Sequence, residues 1–341
     1  MNIQGASRDL SIDATRGIAL FLVALSHAHH CPQYLTSFYI VAFFFLSGFL
    51  YKPGRTYSEN VRRKASRVLV PYFVNSIILL LLYAIIKVFS LSQVTDAVKG
   101  ILYSRNFIWS DSGSPIMGSI ANNPLWYLTA FFTTSVLFHH IVDKCFGSLI
   151  KTFVIFLVLM SISIALAELP VLLPWSIDMI PFFTIVMIIG YLFKKYGATF
   201  DYSWSLTGLL LISYVAISFD NGPINLSIRD FGGQISALLT GIFGTVLCLS
   251  LCNKKVLQPI IGFFVLIGTN SIVTLSYHLL FFGIWGSLLH KYVIPYIQII
   301  KDATWSYDLL VVILSLLSCI AVGKLCEYSK SHFRRRRKIV N

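Results

Sequence analysis

Apolar residues run along this chain in long unbroken stretches separated by short polar connections. Crossing the hydrocarbon of a bilayer as a helix takes roughly 20 residues. Ten stretches meet or approach that length, at residues 11–30, 36–51, 68–90, 124–142, 149–168, 176–194, 203–219, 233–252, 269–290 and 307–327. A helix satisfies all of its backbone hydrogen bonds internally in lipid, so the pattern predicts an all-α, polytopic integral membrane protein of about ten transmembrane helices. The second stretch is short. Leu257 to Gly268 reads either as an eleventh short span or as an interfacial segment leading into the ninth, and the interfacial alternative keeps the charge distribution consistent. Neither half of the chain repeats the other, and no Gly/Ser-rich or Pro-rich linker divides it. Residues 8–330 therefore read as one membrane-embedded domain and residues 331–341 as a basic tail.

Composition agrees with this pattern. Of 341 residues, 56% are hydrophobic and 12% are charged, which excludes a soluble globule, and an aromatic content of 15% excludes a disordered chain. The net charge of +13 then needs an explanation. Lys and Arg accumulate in cytoplasmic loops. With the N-terminus inside, ten spans leave Lys87, Lys99, Arg105, Arg229, Lys291 and Lys301 outside and place the other 21 of the 27 cations on the cytoplasmic side. Both termini are then cytoplasmic, in a multi-pass protein of the cell (inner or plasma) membrane. The run Arg334 to Lys338 reads as topogenic charge against anionic lipid headgroups, and nucleic-acid binding is not expected.

The first span carries the ionisable groups with the clearest claim to chemistry. Arg16 and His27 are eleven residues apart, which is about 20° beyond three full turns, so they project from one helix face about 16 Å apart. Asp13, three residues before Arg16, lies on the same side and can pair with and orient the guanidinium. Ionisable groups inside a span are functional candidates by default, and histidine accepts and releases a proton near neutrality. The plainer alternatives are a snorkelling anchor for Arg16 and a hydrogen-bonded interfacial ring for His27. His27, His30 and Cys31 have the i, i+3, i+4 spacing of a metal site, but no nearby carboxylate completes the set and no metal is expected. Cys248 and Cys252 read as core packing.

The connection after the second span holds 6 of the 27 cations within Lys52 to Arg67. If it is helical, Arg63 and Arg67 are i,i+4 and can grip one polyanion, since guanidinium forks suit phosphate oxygens. Plain positive-inside charge is the equal alternative.

Taken together, Arg16 with His27, then Phe43-Phe-Phe-Leu-Ser-Gly-Phe49, then the basic loop running into Arg67-Val-Leu-Val-Pro71-Tyr72-Phe73, resemble the membrane-bound acyltransferase family 3. The similarity is greater to its fucose 4-O-acetylase-like branch, which shares the Phe-Phe-Leu-Ser-Gly signature. Pro124-Leu-Trp126-Tyr-Leu128 and Gly268-Thr-Asn-Ser271 leading to Tyr277-His278 add weaker matches. The resemblance implies a ten-helix enzyme taking an acyl group, usually acetyl, from acyl-CoA on the cytoplasmic side. The acceptor it implies is a sugar hydroxyl of a surface polysaccharide or of its lipid-linked precursor.

Carried onto this chain, Arg16 and His27 match the family's first-helix pair. Lys64-x-x-Arg67 falls where the family shows Arg-x-x-Arg at the CoA-facing loop, so Lys stands here for the first Arg. The mechanism implied has Arg62, Arg63, Lys64 and Arg67, with Arg16, holding the phosphates of acetyl-CoA. That coenzyme is a donor substrate rather than a bound cofactor. His27 removes the acceptor's proton, directly or through an acyl-histidine variant, and His278 stabilises the intermediate or assists as acid. Trp126, Tyr127 and Trp109 are either a sugar platform or interfacial belt residues. A transporter or flippase for a lipid-linked sugar or anionic solute is the alternative without chemistry. It calls for inverted repeats and paired broken helices that the sequence does not display.

Overall fold

The structure, a computed structural model, describes residues 9–28, 31, 33–87, 89–105, 107–109, 115–118, 124–145, 148–293 and 304–340. In chain order the helices are α1 (Leu10–Leu25), α2 (Tyr39–Phe49), α3 (Tyr57–Lys64), α4 (Val70–Lys87) and α5 (Leu91–Tyr103). They continue with α6 (Trp126–Cys145), α7 (Leu149–Ala167), α8 (Ile180–Lys195), α9 (Trp204–Asn221) and α10 (Gln234–Cys252). The last are α11 (Gln258–Thr269), α12 (Ser271–Tyr292) and α13 (Thr304–Val340). A short antiparallel hairpin, β1 (Phe107–Trp109) with β2 (Pro115–Gly118), interrupts the helical order.

Each of the ten apolar stretches contains a helix. Among the described residues, six segments are long and apolar enough to cross a membrane: Tyr57–Lys87, Leu149–Ala167, Pro174–Lys195, Gln234–Cys252, Ser271–Tyr292 and Trp305–Ser329. Helix α1 has 16 residues and α2 has 11. Large apolar side chains on α4 and α7, such as Leu81, Ile85, Phe153 and Val158, stand exposed. Such surface is a liability in water and is covered by lipid in a bilayer.

The long helical run from Tyr57 to Lys87 is made possible by a π turn, Ala65–Leu69, where the Val70 N–H donates to the Ala65 carbonyl five residues back. Pro71 follows at once and has no N–H to donate. A widened turn just before it lets the helix pass the proline without breaking. The N-terminus of α3 is fixed by a capping box in which Thr56 and Glu59 satisfy each other's backbone N–H groups.

The chain divides into two compact units. The first comprises residues 1–39, 200–213 and 243–341. Its centre is the crossing of α1 and α11. A Cβ on Gly17 would lie 1.8 Å from the Phe264 carbonyl oxygen, and one on Gly268 would lie 1.9 Å from that of Asp13. Two reciprocal glycines thus let the backbones touch, the usual way helices associate tightly in lipid. The segment Leu257 to Gly268, read as a short span or an interfacial segment, forms α11 and packs on α1 because its glycine matches one there. Cys252 joins Ala14 and Ile261 in this core, and the Thr15 hydroxyl donates to its sulfur at 3.7 Å. Helices α12 and α13 pair through Trp285 Nε1 donating to Ser318 at 3.0 Å and Tyr307 donating to the Gly286 carbonyl at 2.9 Å.

The second unit comprises residues 40–199 and 214–242. It repeats the device on α2 and α8, where a Cβ on Gly48 would meet the Met187 carbonyl oxygen at 1.9 Å and one on Gly190 that of Phe45 at 2.1 Å. Phe44 stacks on Phe183 beside this crossing, centroids 3.8 Å apart. The Phe-Phe-Leu-Ser-Gly segment is thereby a helix-crossing element. Either Gly17→Ala or Gly48→Ala is expected to force backbones apart and destabilise its unit by about 1–3 kcal/mol. This would be read as a lowered unfolding midpoint in detergent, whereas Gly262→Ala, which meets nothing within 4 Å, leaves the midpoint in place.

Candidate active site

His27 does not continue α1. The helix ends at Leu25, Ser26 caps it, and the His27 N–H donates to the Ala24 carbonyl at 3.3 Å in a tightened last turn. The turn is pinned from two directions, since the Ser26 hydroxyl donates to the Val23 carbonyl at 2.7 Å and is hydrogen-bonded to Tyr39. His27 is exposed. Its ring faces that of His278 on α12, with centroids 5.5 Å apart and planes inclined by 32°.

His278 is the opposite case, with only 1% of its surface exposed. Its Nδ1 lies 2.9 Å from the Thr274 carbonyl oxygen and 3.1 Å from that of Leu275. Carbonyls accept only, so this geometry assigns the ring proton to Nδ1 and leaves Nε2 as a lone pair. Among the described residues Nε2 has no hydrogen-bond partner. A buried polar atom left this way is unusual and calls for an explanation.

Two turns and more below, Arg16 donates to Asp13 at 3.2 Å. The guanidinium is 30% exposed and the carboxylate 4%. Asp13 is part of the crossing with α11, since its carbonyl meets Gly268. The carboxylate is consequently held by helix packing, and it holds Arg16. His30 lies outside the described residues, and among those described no three His, Cys, Asp or Glu side chains gather as a metal site.

In the second unit, the basic segment splits in two directions. Arg55, Arg62 and Arg67 are exposed and Arg63 is half-buried. The charges of Arg67 and Arg55 both act on Arg63, and among the described residues no carboxylate pairs with any of the four. Lys64 turns the other way. Its Nζ lies 3.4 Å from the Ser47 hydroxyl and 4.6 Å from the centre of the Phe131 ring. Lys64 is thus tied to the serine of the Phe-Phe-Leu-Ser-Gly segment.

The acyltransferase domain of acyltransferase family 3 matches residues 9–324, almost the whole chain, and so takes in both units. The chain belongs to acyltransferase family 3. No curated protein matches it significantly. No solved structure does so either.

This family-3 acyltransferase also holds a buried charge cluster that cation counting passed over. Asp178, fully buried, accepts hydrogen bonds from Arg105 and from Arg229, the latter at 3.0 Å. Arg105 also donates to the Leu173 and Ser227 carbonyls at 3.2 and 3.1 Å, and Arg229 to those of Leu169 and Val171. Burial lowers the Arg105 pKa, and the charge and hydrogen bond of Asp178 oppose that shift. The sequence signal was a lone acid inside an apolar run. Titratable side chains inside apolar runs also include His139 and His140 on α6 and buried Asp308 on α13.

Proposed function

We propose that this family-3 acyltransferase is an O-acyltransferase of the cell membrane, with both termini cytoplasmic. It moves an acyl group, most simply acetyl, from cytoplasmic acyl-CoA to a hydroxyl of a surface glycan or of its lipid-linked precursor. The observation carrying this reading is the His27 ring set against that of buried His278, within a domain whose family performs acyl transfer.

In the reaction, the acceptor oxygen attacks the thioester carbonyl carbon while a His27 ring nitrogen takes the hydroxyl proton. The carbon–sulfur bond then breaks, and the coenzyme leaves as a thiol carrying that proton. Because the Nδ1 proton of His278 is committed to two carbonyls, its Nε2 serves only as an acceptor. That lone pair stabilises the imidazolium formed at His27 as it receives the proton. Arg16, held by Asp13 on α1, is a fixed cation for an anionic part of the donor. Arg55, Arg62, Arg63 and Arg67 supply guanidinium forks for phosphate.

The donor half of the proposal has its own test. Titration of the protein with CoA at low salt is expected to give about 10-fold weaker binding for Arg63→Gln with Arg67→Gln, and a shallower salt dependence. Lys64→Gln is expected to lower thermal stability instead, since it loses contacts with Ser47 and Phe131. Unchanged CoA affinity in the double variant would return the arginines to a purely topogenic role.

A further inference from the structure

The cationic end of the second unit carries aromatic groups for which phosphate binding has no use. Tyr57 opens α3 directly after the Thr56 cap and is 51% exposed. Its ring lies nearly parallel to that of His139, at 6.2 Å and 25°, and edge-on to His140 at 6.1 Å. His139 is buried, and its Nδ1 is hydrogen-bonded to the Tyr51 hydroxyl at 2.6 Å. Tyr51 in turn meets Phe138 and Tyr191 edge-on, at 5.2 and 5.8 Å. Tyr57 is thus backed by a group of rings.

The charges lie just before α3 and along it. Arg55 precedes Tyr57 by two residues, and its charge acts on Arg63, one helical turn and a half beyond Tyr57. The open tyrosine therefore belongs to the segment that Arg55 and Arg63 bracket. A bilayer-belt tyrosine accounts for exposure alone. It does not account for an imidazole buried behind the ring in a short hydrogen bond, nor for guanidinium groups before and after it in sequence that, among the described residues, no carboxylate pairs. An open aromatic face beside phosphate-binding arginines is the combination that recognises a nucleotide, because every base offers a π face and its phosphates suit guanidinium forks.

Resting on the reading of acyl-CoA as donor, we infer that Tyr57, backed by His139 and His140, stacks on the adenine of coenzyme A while Arg55, Arg63 and Arg67 take its phosphates. Tyr57 then determines donor specificity without touching the thioester.

The test is calorimetric titration of the full chain in nanodiscs with adenosine 3′,5′-bisphosphate and, separately, with CoA. Wild type is expected to bind both. Tyr57→Ala weakens both by about 10-fold or more, Tyr57→Phe restores the affinity, and Arg63→Gln weakens both and flattens their salt dependence. Tyr57 is half open to its surroundings, so the variant folds, which an unchanged melting curve verifies. Wild-type affinity for both ligands in Tyr57→Ala would overturn the inference and leave acyl-CoA standing as donor. Failure of the wild type to bind either ligand would overturn the donor reading and this inference with it.

Discussion

His27→Ala is expected to lower acyl transfer by about 10²–10⁴-fold, the usual contribution of one positioned general base, equivalent to about 3–5 kcal/mol of barrier. The loss should fall on kcat, because the proton moves only as the acceptor attacks. His27 lies beyond the end of α1 and its loss breaks no helix hydrogen bond, so the unfolding midpoint should fall by no more than about 1 kcal/mol. His278→Gln separates the second ring's role from packing. Glutamine keeps a polar side chain of similar length but replaces the ring and its basic Nε2 lone pair with a non-basic amide. Transfer is expected to fall by about 10–100-fold with KM for the acceptor unchanged. A His278→Gln enzyme with wild-type kcat would show that the two rings are only packed together.

Asp178→Asn is expected to have the largest effect on stability. The carboxylate is the one anion between two buried guanidinium groups, and removing one partner of a buried pair costs about 3–5 kcal/mol, because the remaining charge is left uncompensated. The consequence extends along the chain. Arg105 and Arg229 between them hold the carbonyls of Leu169, Val171 and Leu173, and this stretch leads into Trp175 and Ser176, both with positive φ, 54° and 56°. Non-glycine residues in that region cost of order 1–3 kcal/mol each and persist only where their surroundings over-determine them. The unfolding midpoint should drop by about 10 °C. Adding Arg229→Gln to Asp178→Asn removes one stranded cation and is expected to recover part of the loss. A midpoint unchanged in Asp178→Asn would mean that the carbonyls alone hold the cluster.

Much of the helical plan was legible because lipid leaves the backbone little choice, and every apolar run is a helix. Ends were less so. The first run reads unbroken to residue 30, yet α1 stops at Leu25, where Ser26 turns its hydroxyl back to the helix. That local hydrogen bond competes with helix continuation and is invisible to a hydropathy window. Candidate residues were found one at a time through their chemistry, whereas their partners were not. His27 and His278 meet across most of the chain, and no periodicity connects them. The same holds for Gly17 and Gly268, whose pairing makes Leu257 to Gly268 a packed helix. Counting charge gave Lys64 and Arg63 equal standing, but a lysine's long apolar stem lets its ammonium reach inward to Ser47 and Phe131. Charge counting likewise assigned Arg105 and Arg229 only to a side of the membrane, because it carries no information on which acid is buried with them.

The most direct measurement incubates the purified protein in lipid with acetyl-labelled acetyl-CoA and hydroxyl-bearing glycans, following label in glycan ester and release of free CoA thiol together. The account predicts equimolar ester and thiol with wild type and neither above background with His27→Ala. Ester formation by His27→Ala at the wild-type rate would contradict it.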